Sequence, residues 1–329
     1  MFDPSLKGHQ DLRARLLERL QAGRLPGTLL FTGPESVGKR RVAMELAQRE
    51  LCYRKTACGT CEACRLFKGD ELPLELPNLL RLAPEGKAGL IKIGMVRDSD
   101  LVEGGVLRWA ALAPAPGCHR WVLIEDAHRL NGAAANMLLK TLEEPPPGTH
   151  FLLVTHRPEA VLQTIRSRAQ RVPFAPLSDA EAWAVAGAAG WRADQREAWI
   201  ALAEGSLKVL DEAAFARASA QVEAWIAVGR GTSFDAAAGP LLPEKDAQVG
   251  QSEQLRPAVE LLLRLLADIG RVRAGARPAL APWEPGLAQL AAQDLDLRLP
   301  MEAASKALQS LARNPSPEPL LRELAMALA

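Results

Sequence analysis

The chain is 329 residues long and 48% hydrophobic, with 40 Lys and Arg against 39 Asp and Glu for a formal net charge of +1. That length supports two or three domains with ample core, while no apolar run reaches the roughly 18 residues of a membrane span. The near-zero charge supplies no global field for nucleic acid, so any DNA contact is local or shared with partner chains. The charged, helical start lacks a secretory signal, and the expected location is cytoplasmic.

Leu12 to Leu20 reads as a short amphipathic helix, and Thr28 to Thr32 as an apolar strand running straight into Gly33-Pro-Glu-Ser-Val-Gly38-Lys39-Arg40. Strand, Gly-x-x-x-x-Gly-Lys, then a helix from about Arg40 to Leu51 is the P-loop pattern. Its glycines let backbone N–H groups wrap phosphates, the helix N-terminus adds positive potential, and Lys39 reaches the β and γ phosphates of a nucleotide such as ATP. A functional loop places Ser or Thr after the lysine to bind magnesium. Arg40 stands there instead, and a guanidinium cannot coordinate a cation.

Cys52, Cys58, Cys61 and Cys64 follow as Cys-x5-Cys-x2-Cys-x2-Cys. Four thiols this close can complete a tetrahedral zinc site, which a short insertion at about residues 52–64 with little core of its own would need. Three other readings stand beside it. A disulfide pair is disfavoured in a reducing cytosol, an iron–sulfur cluster uses a similar run but takes its last ligand downstream beside a proline, and the thiols could simply be free. Cys118 stands apart in a Pro-rich turn and reads as a bystander. Pro77 to Pro84 reads as a strand, Pro84 to Gly89 as a loop, and Ile91 to Val102 as a strand edge turning into a helix.

Trp121 to Ile124 is a short β-branched and aromatic run suited to a buried parallel strand, ending in Glu125 and Asp126, two acids delivered to the carboxyl edge of a sheet. Asn131 is a good N-cap for a helix over Gly132 to Glu143, stopped by Pro145, Pro146 and Pro147. Phe151 to Thr155 is a second buried strand ended by a polar threonine. Pro158 to Gln163 reads as one more short helix, leading through Arg166-Ser167-Arg168 to a strand over Arg171 to Phe174.

From Leu177 the texture is helical and Ala-rich: Asp179 to Ala188, Ala193 to Ala203 and Ser206 to about Ala214, then Gln221 to Val228, Pro257 to Val272, Gly286 to Leu295, Met301 to Ala312 and Pro319 to Leu328. Leu255, Val259, Leu262, Leu263, Leu266 and Ile269 recur at helical spacing and form one apolar face. Gly229 to Gln251, with its glycines and prolines, reads as a loop or hinge.

Lys140-Thr-Leu-Glu-Glu-Pro-Pro146, then Leu-Leu-Val-Thr155, then Ser167-Arg168, in that order and behind a P-loop with a cysteine quartet after its helix, resembles the AAA+ core of DNA-polymerase clamp-loader subunits. The resemblance implies an α/β fold: an AAA+ P-loop core with a parallel sheet over 1–176, a small helical lid over 177–215 and an all-α collar domain over 216–329 that joins subunits into a ring. Within the family it is the delta-prime branch that keeps the fold, the cysteine site and the Ser-Arg pair on a degenerate P-loop. Active relatives carry Asp then Glu where this chain has Glu125 then Asp126, and the swap mis-sets both carboxylates in a chemistry where errors of about 1 Å can cost about a hundredfold.

The resemblance further implies that Arg168 acts in trans on the γ-phosphate held by a neighbouring subunit, and that Gly33, Gly38, Lys39, Glu125, Asp126 and Thr155 form a nucleotide site of doubtful ATP binding. Lys208, in Gly205-Ser-Leu-Lys208, stands at the lid's nucleotide-sensing helix start, although lysine lacks the planar fork of the usual arginine. Cys52, Cys58, Cys61 and Cys64 would hold zinc. The implied partners are the delta and gamma/tau ATPase subunits in a hetero-pentameric ring and, through the assembly, the sliding clamp and primed DNA.

Overall fold

The structure is a computed structural model that describes residues 6–67, 75–76, 78–85, 89–97, 105–112, 114, 118–243, 251–311 and 315–329. The chain folds into two compact units, Met1–Glu181 and Ala182–Ala329. The first is a layered α/β unit and the second, among the described residues, is all helical.

Six strands make one sheet: β1 Thr28–Thr32, β2 Glu75–Leu76, β3 Leu79–Leu82, β4 Arg120–Ile124, β5 Thr149–Val154 and β6 Gln170–Pro173, in the order β2-β3-β4-β5-β1-β6. All neighbours run parallel except the short edge pair of β2 with β3. The inner strands β3, β4, β5 and β1 are mostly apolar and buried because both faces are covered, and successive side chains divide between two cores. Leu29, Phe31, Trp121, Leu123, Leu152 and Val154 face one core with Leu16, Leu20, Val42 and Leu46. Leu30, Val122, Ile124, Phe151 and Leu153 face the other with Trp109, Ala134, Leu138 and Ile165. Parallel pairing puts the carboxyl ends of β1, β4 and β5 side by side, where open α/β sheets bind ligands.

The helix after β1 spans Lys39–Leu51 and the one after β4 spans Gly132–Glu143, the latter capped by Asn131 Oδ1, which accepts from the Ala134 N–H at 2.8 Å. Three expected elements differ. Pro158 to Gln163 is not one helix but a 3-10 turn over Pro158–Ala160 and a separate helical turn over Gln163–Arg166, since Val161 is extended and buries its side chain in the core. The helix expected from Ser206 begins only at Glu212, where Asp211 caps it by accepting from the Ala213 N–H at 2.8 Å, and it runs unbroken to Gly229. Within the expected loop over 229–251, Phe234–Ala237 forms a helical turn, and residues 244–250 lie outside the described residues. Pro77, residues 86–88 of the expected loop, residues 98–102 of the expected helix and Ala312, the end of the helix expected from Met301, also lie outside them.

In the second unit, Gln251–Arg273 is the longest helix, with Leu255, Val259, Leu262, Leu266 and Ile269 fully buried on one side. Asp268, also fully buried on this helix, accepts from the backbone N–H groups of Ala279 at 2.9 Å and Leu280 at 2.7 Å and from Arg271 Nη1 at 2.6 Å. Those charge-assisted bonds satisfy a carboxylate that burial would otherwise penalise, and they fix the chain reversal after the helix.

Candidate functional site

The loop between β1 and its helix has the backbone that the glycines allow. Gly33 sits at φ 136° and Gly38 at φ 98°. A Cβ on Gly33 would lie 2.2 Å from the Phe174 carbonyl oxygen, so both conformation and space demand glycine. Lys39 opens the helix and is 5% exposed. Its Nζ donates back to the Gly33 carbonyl at 2.9 Å and to the Pro34 carbonyl. Burial brings its pKa down to about 8, against the opposing pull of Glu35 and Asp126. The lysine is thus satisfied by its own loop.

At the end of β4, Glu125 is held by two guanidinium groups. Arg81, a charge in the otherwise apolar β3, reaches Glu125 Oε1 through Nε at 2.8 Å and Nη2 at 2.7 Å. Arg40, at the start of the P-loop helix, reaches the same oxygen from Nε at 3.5 Å. The residue standing where a magnesium-binding hydroxyl would be therefore pairs with the acid that would hold the ion from the other side. Glu125 functions here as the anion between two cations, with its Oε1 facing both guanidinium groups.

Asp126 takes a left-handed conformation at φ 47°. Burial would raise its carboxyl, but the hydrogen bond from His156 and the positive charges nearby hold it below the usual carboxylate range. Thr155, fully buried at the end of β5, has its hydroxyl 3.1 Å from His128 Nδ1 and accepts from the Arg157 N–H at 3.0 Å. Burial, with the charges of His156 and two arginines, pushes His128 down to about 3, leaving a neutral ring.

Arg168, in the same unit, lies just after the helical turn Gln163–Arg166. Its Nε donates to Glu143 Oε2 at 2.7 Å and its Nη1 to the Thr164 carbonyl at 3.1 Å, with the arginine side chain 31% and the glutamate 57% exposed. Lys208 lies in the second unit in the turn before the helix Glu212–Gly229, not at a helix start, and its Nζ pairs with Glu204 at 3.0 Å.

The four cysteines converge. Cys52 ends the P-loop helix, and Cys61 caps the short helix Glu62–Arg65 by accepting from the Cys64 N–H at 3.4 Å. Their four Sγ atoms lie within 4.8 Å of one another, with Cys58–Cys64 at 4.0 Å and Cys52–Cys61 at 3.9 Å. Zinc–sulfur bonds of about 2.3 Å set tetrahedral edges of about 3.8 Å, so the quartet fits such an ion. The N–H groups of Cys58 and Cys61 point at the sulfurs of Cys52 and Cys58, at 3.5 and 3.4 Å, which suits thiolates. Hydrogen bonds from Thr60 and the Cys61 N–H bring Cys58 down to about 5, whereas burial pushes Cys64 up to about 12. Cys118 is outside the cluster.

Sequence reading brought Lys39, Glu125, Asp126 and Thr155 to one sheet edge, but it missed Arg81, His128, His156 and the Glu143 partner of Arg168. Arg81 did leave a signal, as a lone charge inside Leu79-Leu80-Arg81-Leu82.

A glycine-rich loop and lysine at the carboxyl end of a central parallel strand, with acids at the end of β4 one strand beyond β5, define an AAA+ P-loop core. Residues 8–178, more than half of the chain, match the family described as DNA polymerase III, delta subunit, and the chain belongs to that family. It is 36% identical over 182 residues to the DNA polymerase III subunit delta' of Pseudomonas aeruginosa, covering 54% of this chain and 52% of that one. It is 34% identical over 165 residues to subunit delta' of Escherichia coli, covering 49% and 46%, and 32% identical over 173 residues to subunit gamma/tau of Mycobacterium tuberculosis, covering 51% and 27%. The matched region thus spans about half the length of the delta' relatives and about a quarter of the gamma/tau relative. No helix among the described residues is long and apolar enough to cross a membrane.

Proposed function

We propose that this chain is a stator-like, non-hydrolysing subunit of a DNA polymerase III clamp loader, which supplies Arg168 to the ATP site of a neighbouring ATPase subunit and helps place the sliding clamp on primed DNA. One observation carries the non-hydrolysing half: Arg40 stands in the magnesium-binding position and closes onto Glu125, which Arg81 holds from the other side. Magnesium on Glu125 would sit beside two guanidinium groups, with Lys39 turned onto its own loop carbonyls and no hydroxyl at position 40 to hold the ion. The similarity to gamma/tau, the basis of a rival reading as an active ATPase, does not supply those parts.

For the arginine role, the support is chemical and geometric. Charge accumulates on a transferring phosphoryl group, and an arginine delivered across a boundary is worth about 10³ to 10⁵ in rate. Arg168 is part-exposed and tied to Glu143 in a surface pair of the kind worth about 0–1 kcal/mol, a tether that a neighbour's phosphate can outcompete. The lid at 177–215, the collar from 216, the hetero-pentameric ring with delta and gamma/tau subunits, and a cytoplasmic location belong to the same proposal. Cys52, Cys58, Cys61 and Cys64 would hold zinc, which would supply a structural closure for a short insertion.

The test is steady-state ATP turnover by the purified chain alone, expected at background. Turnover that Lys39→Ala abolishes would return the chain to the active ATPases.

A further inference from the structure

The ends of β4 and β5 gather three ligand-type side chains, of which two, His128 and His156, have no part in the nucleotide site. Asp126 follows β4, His128 lies in the 3-10 turn Ala127–Arg129, and His156 follows Thr155 after β5. One donor atom from each lies within 4.8 Å of the other two. Asp126 Oδ1 and His156 Nδ1 are 3.5 Å apart, and the two imidazoles stand edge to face with centroids 4.5 Å apart. His128 Nε2 and His156 Nε2 are buried without a hydrogen-bond partner. Orphaned ring nitrogens are a cost that native folds rarely carry without a ligand, water or ion to meet them.

We propose that Asp126, His128 and His156 form a binding site for a divalent transition-metal ion of the zinc class, separate from the four-cysteine cluster. Bonds of about 2.1 Å in a tetrahedron set ligand edges of about 3.4 Å, which matches the 3.5 Å from Asp126 Oδ1 to His156 Nδ1, so His156 would ligate through Nδ1 and the unmet nitrogen that the ion would reach is His128 Nε2. Two imidazoles and one carboxylate with an open fourth position is a donor set that zinc, cobalt(II) and nickel(II) accept. Thr155, at His128 Nδ1, orients that ring and leaves Nε2 as its free nitrogen, the arrangement in which a ligating histidine is held by its other nitrogen. The positive charges nearby, Lys39, Arg129 and Arg157, select the metal. Magnesium and calcium bind through charge to oxygen and gain little here, whereas ions that bond strongly to imidazole nitrogen tolerate the field. An ion here would join the ends of β4 and β5. The proposal rests on neither Arg168 nor the absence of hydrolysis.

The test is titration of the metal-stripped full chain with cobalt(II), read by absorption, with zinc as competitor. Two equivalents are expected, one with intense thiolate-to-cobalt bands and one with the weaker visible bands of nitrogen and oxygen ligands. The double variant His128→Gln/His156→Gln should weaken the second equivalent by more than the about 10–100-fold typical of outer partners, with the thiolate bands intact as the control for folding. Should that variant not fold, Asp126→Asn serves as the second probe and should weaken the same bands. Cys58→Ser/Cys61→Ser should leave them in place. Failure to observe nitrogen–oxygen bands in the wild-type chain, or bands unchanged in a folded His128→Gln/His156→Gln or Asp126→Asn chain, would overturn the site.

Discussion

If Glu125 is a strut between two arginines instead of a metal ligand in waiting, its removal should destabilise the metal-free chain. Its two bonds to Arg81 are short, at 2.7 and 2.8 Å, and the two side chains are 7% and 14% exposed. Breaking one side of a buried pair costs about 3–5 kcal/mol, because the other charge stays buried. The Arg40 contact, at 3.5 Å from a side chain 43% exposed, adds little. Glu125→Leu should therefore cost about 3 kcal/mol, or roughly 6–12 °C in the transition of this unit. Arg81→Leu should cost somewhat less, because Arg40 still serves Glu125. The double variant should return to within about 1 kcal/mol of wild type, since apolar replacements of a buried pair are often neutral. Urea unfolding of the four proteins gives the coupling, the sum of the single costs less that of the double, expected at about 4 kcal/mol. A Glu125→Leu chain as stable as wild type, with no coupling to Arg81, would refute the strut, because that is how a solvated carboxylate awaiting a cation behaves.

Other consequences concern the loop, the cysteines and the buried histidines. Gly33→Ala should cost at least about 2 kcal/mol, read in the same unfolding assay, because its φ of 136° and the Phe174 carbonyl 2.2 Å away leave no place for a methyl group. Chelation of the purified chain should release zinc and lower the midpoint of thermal unfolding, and Cys64→Ser should abolish the chelator effect; an unchanged midpoint on chelation would show that no structural ion is held. His9 and His150 are lowered from 6.5, in each case mainly by burial. With the folded pKa below the unfolded one, the unfolded chain takes up more protons below about pH 6.5. The stability they lend is full above that pH and declines as pH falls through it. Unfolding free energies at pH 7.5 and 5.5 should show the decline, reduced in His150→Gln.

Much of this architecture is legible in the sequence because it depends on local signals. The runs at Thr28 to Thr32, Trp121 to Ile124 and Phe151 to Thr155 are apolar on both alternations, which only a sheet covered on both faces uses, and each is punctuated by glycine, acid or threonine where the site begins. The cysteine quartet announces itself by spacing, and Asn131 by its place before an apolar helix. What stays hidden depends on partners distant in sequence. Arg81 meets Glu125 across 44 positions and Arg168 meets Glu143 across 25, so neither pair has a spacing to read. His128 and His156 become neighbours only because β4 and β5 pair in register, Ile124 beside Leu153. Ser206 offers a plausible helix start in the sequence, yet it donates to the Ala203 carbonyl, and Asp211 makes the cap of the helix Glu212–Gly229.

The proposed role of Arg168 is tested most directly by ATP turnover of the reconstituted loader, at saturating clamp and primed DNA, with wild-type chain or with Arg168→Ala shown to assemble normally. A fall in kcat of about tenfold or more, with KM for ATP little changed, is the predicted result for a guanidinium that meets the neighbour's phosphate only as the bond breaks. Wild-type kcat with Arg168→Ala in place would contradict it.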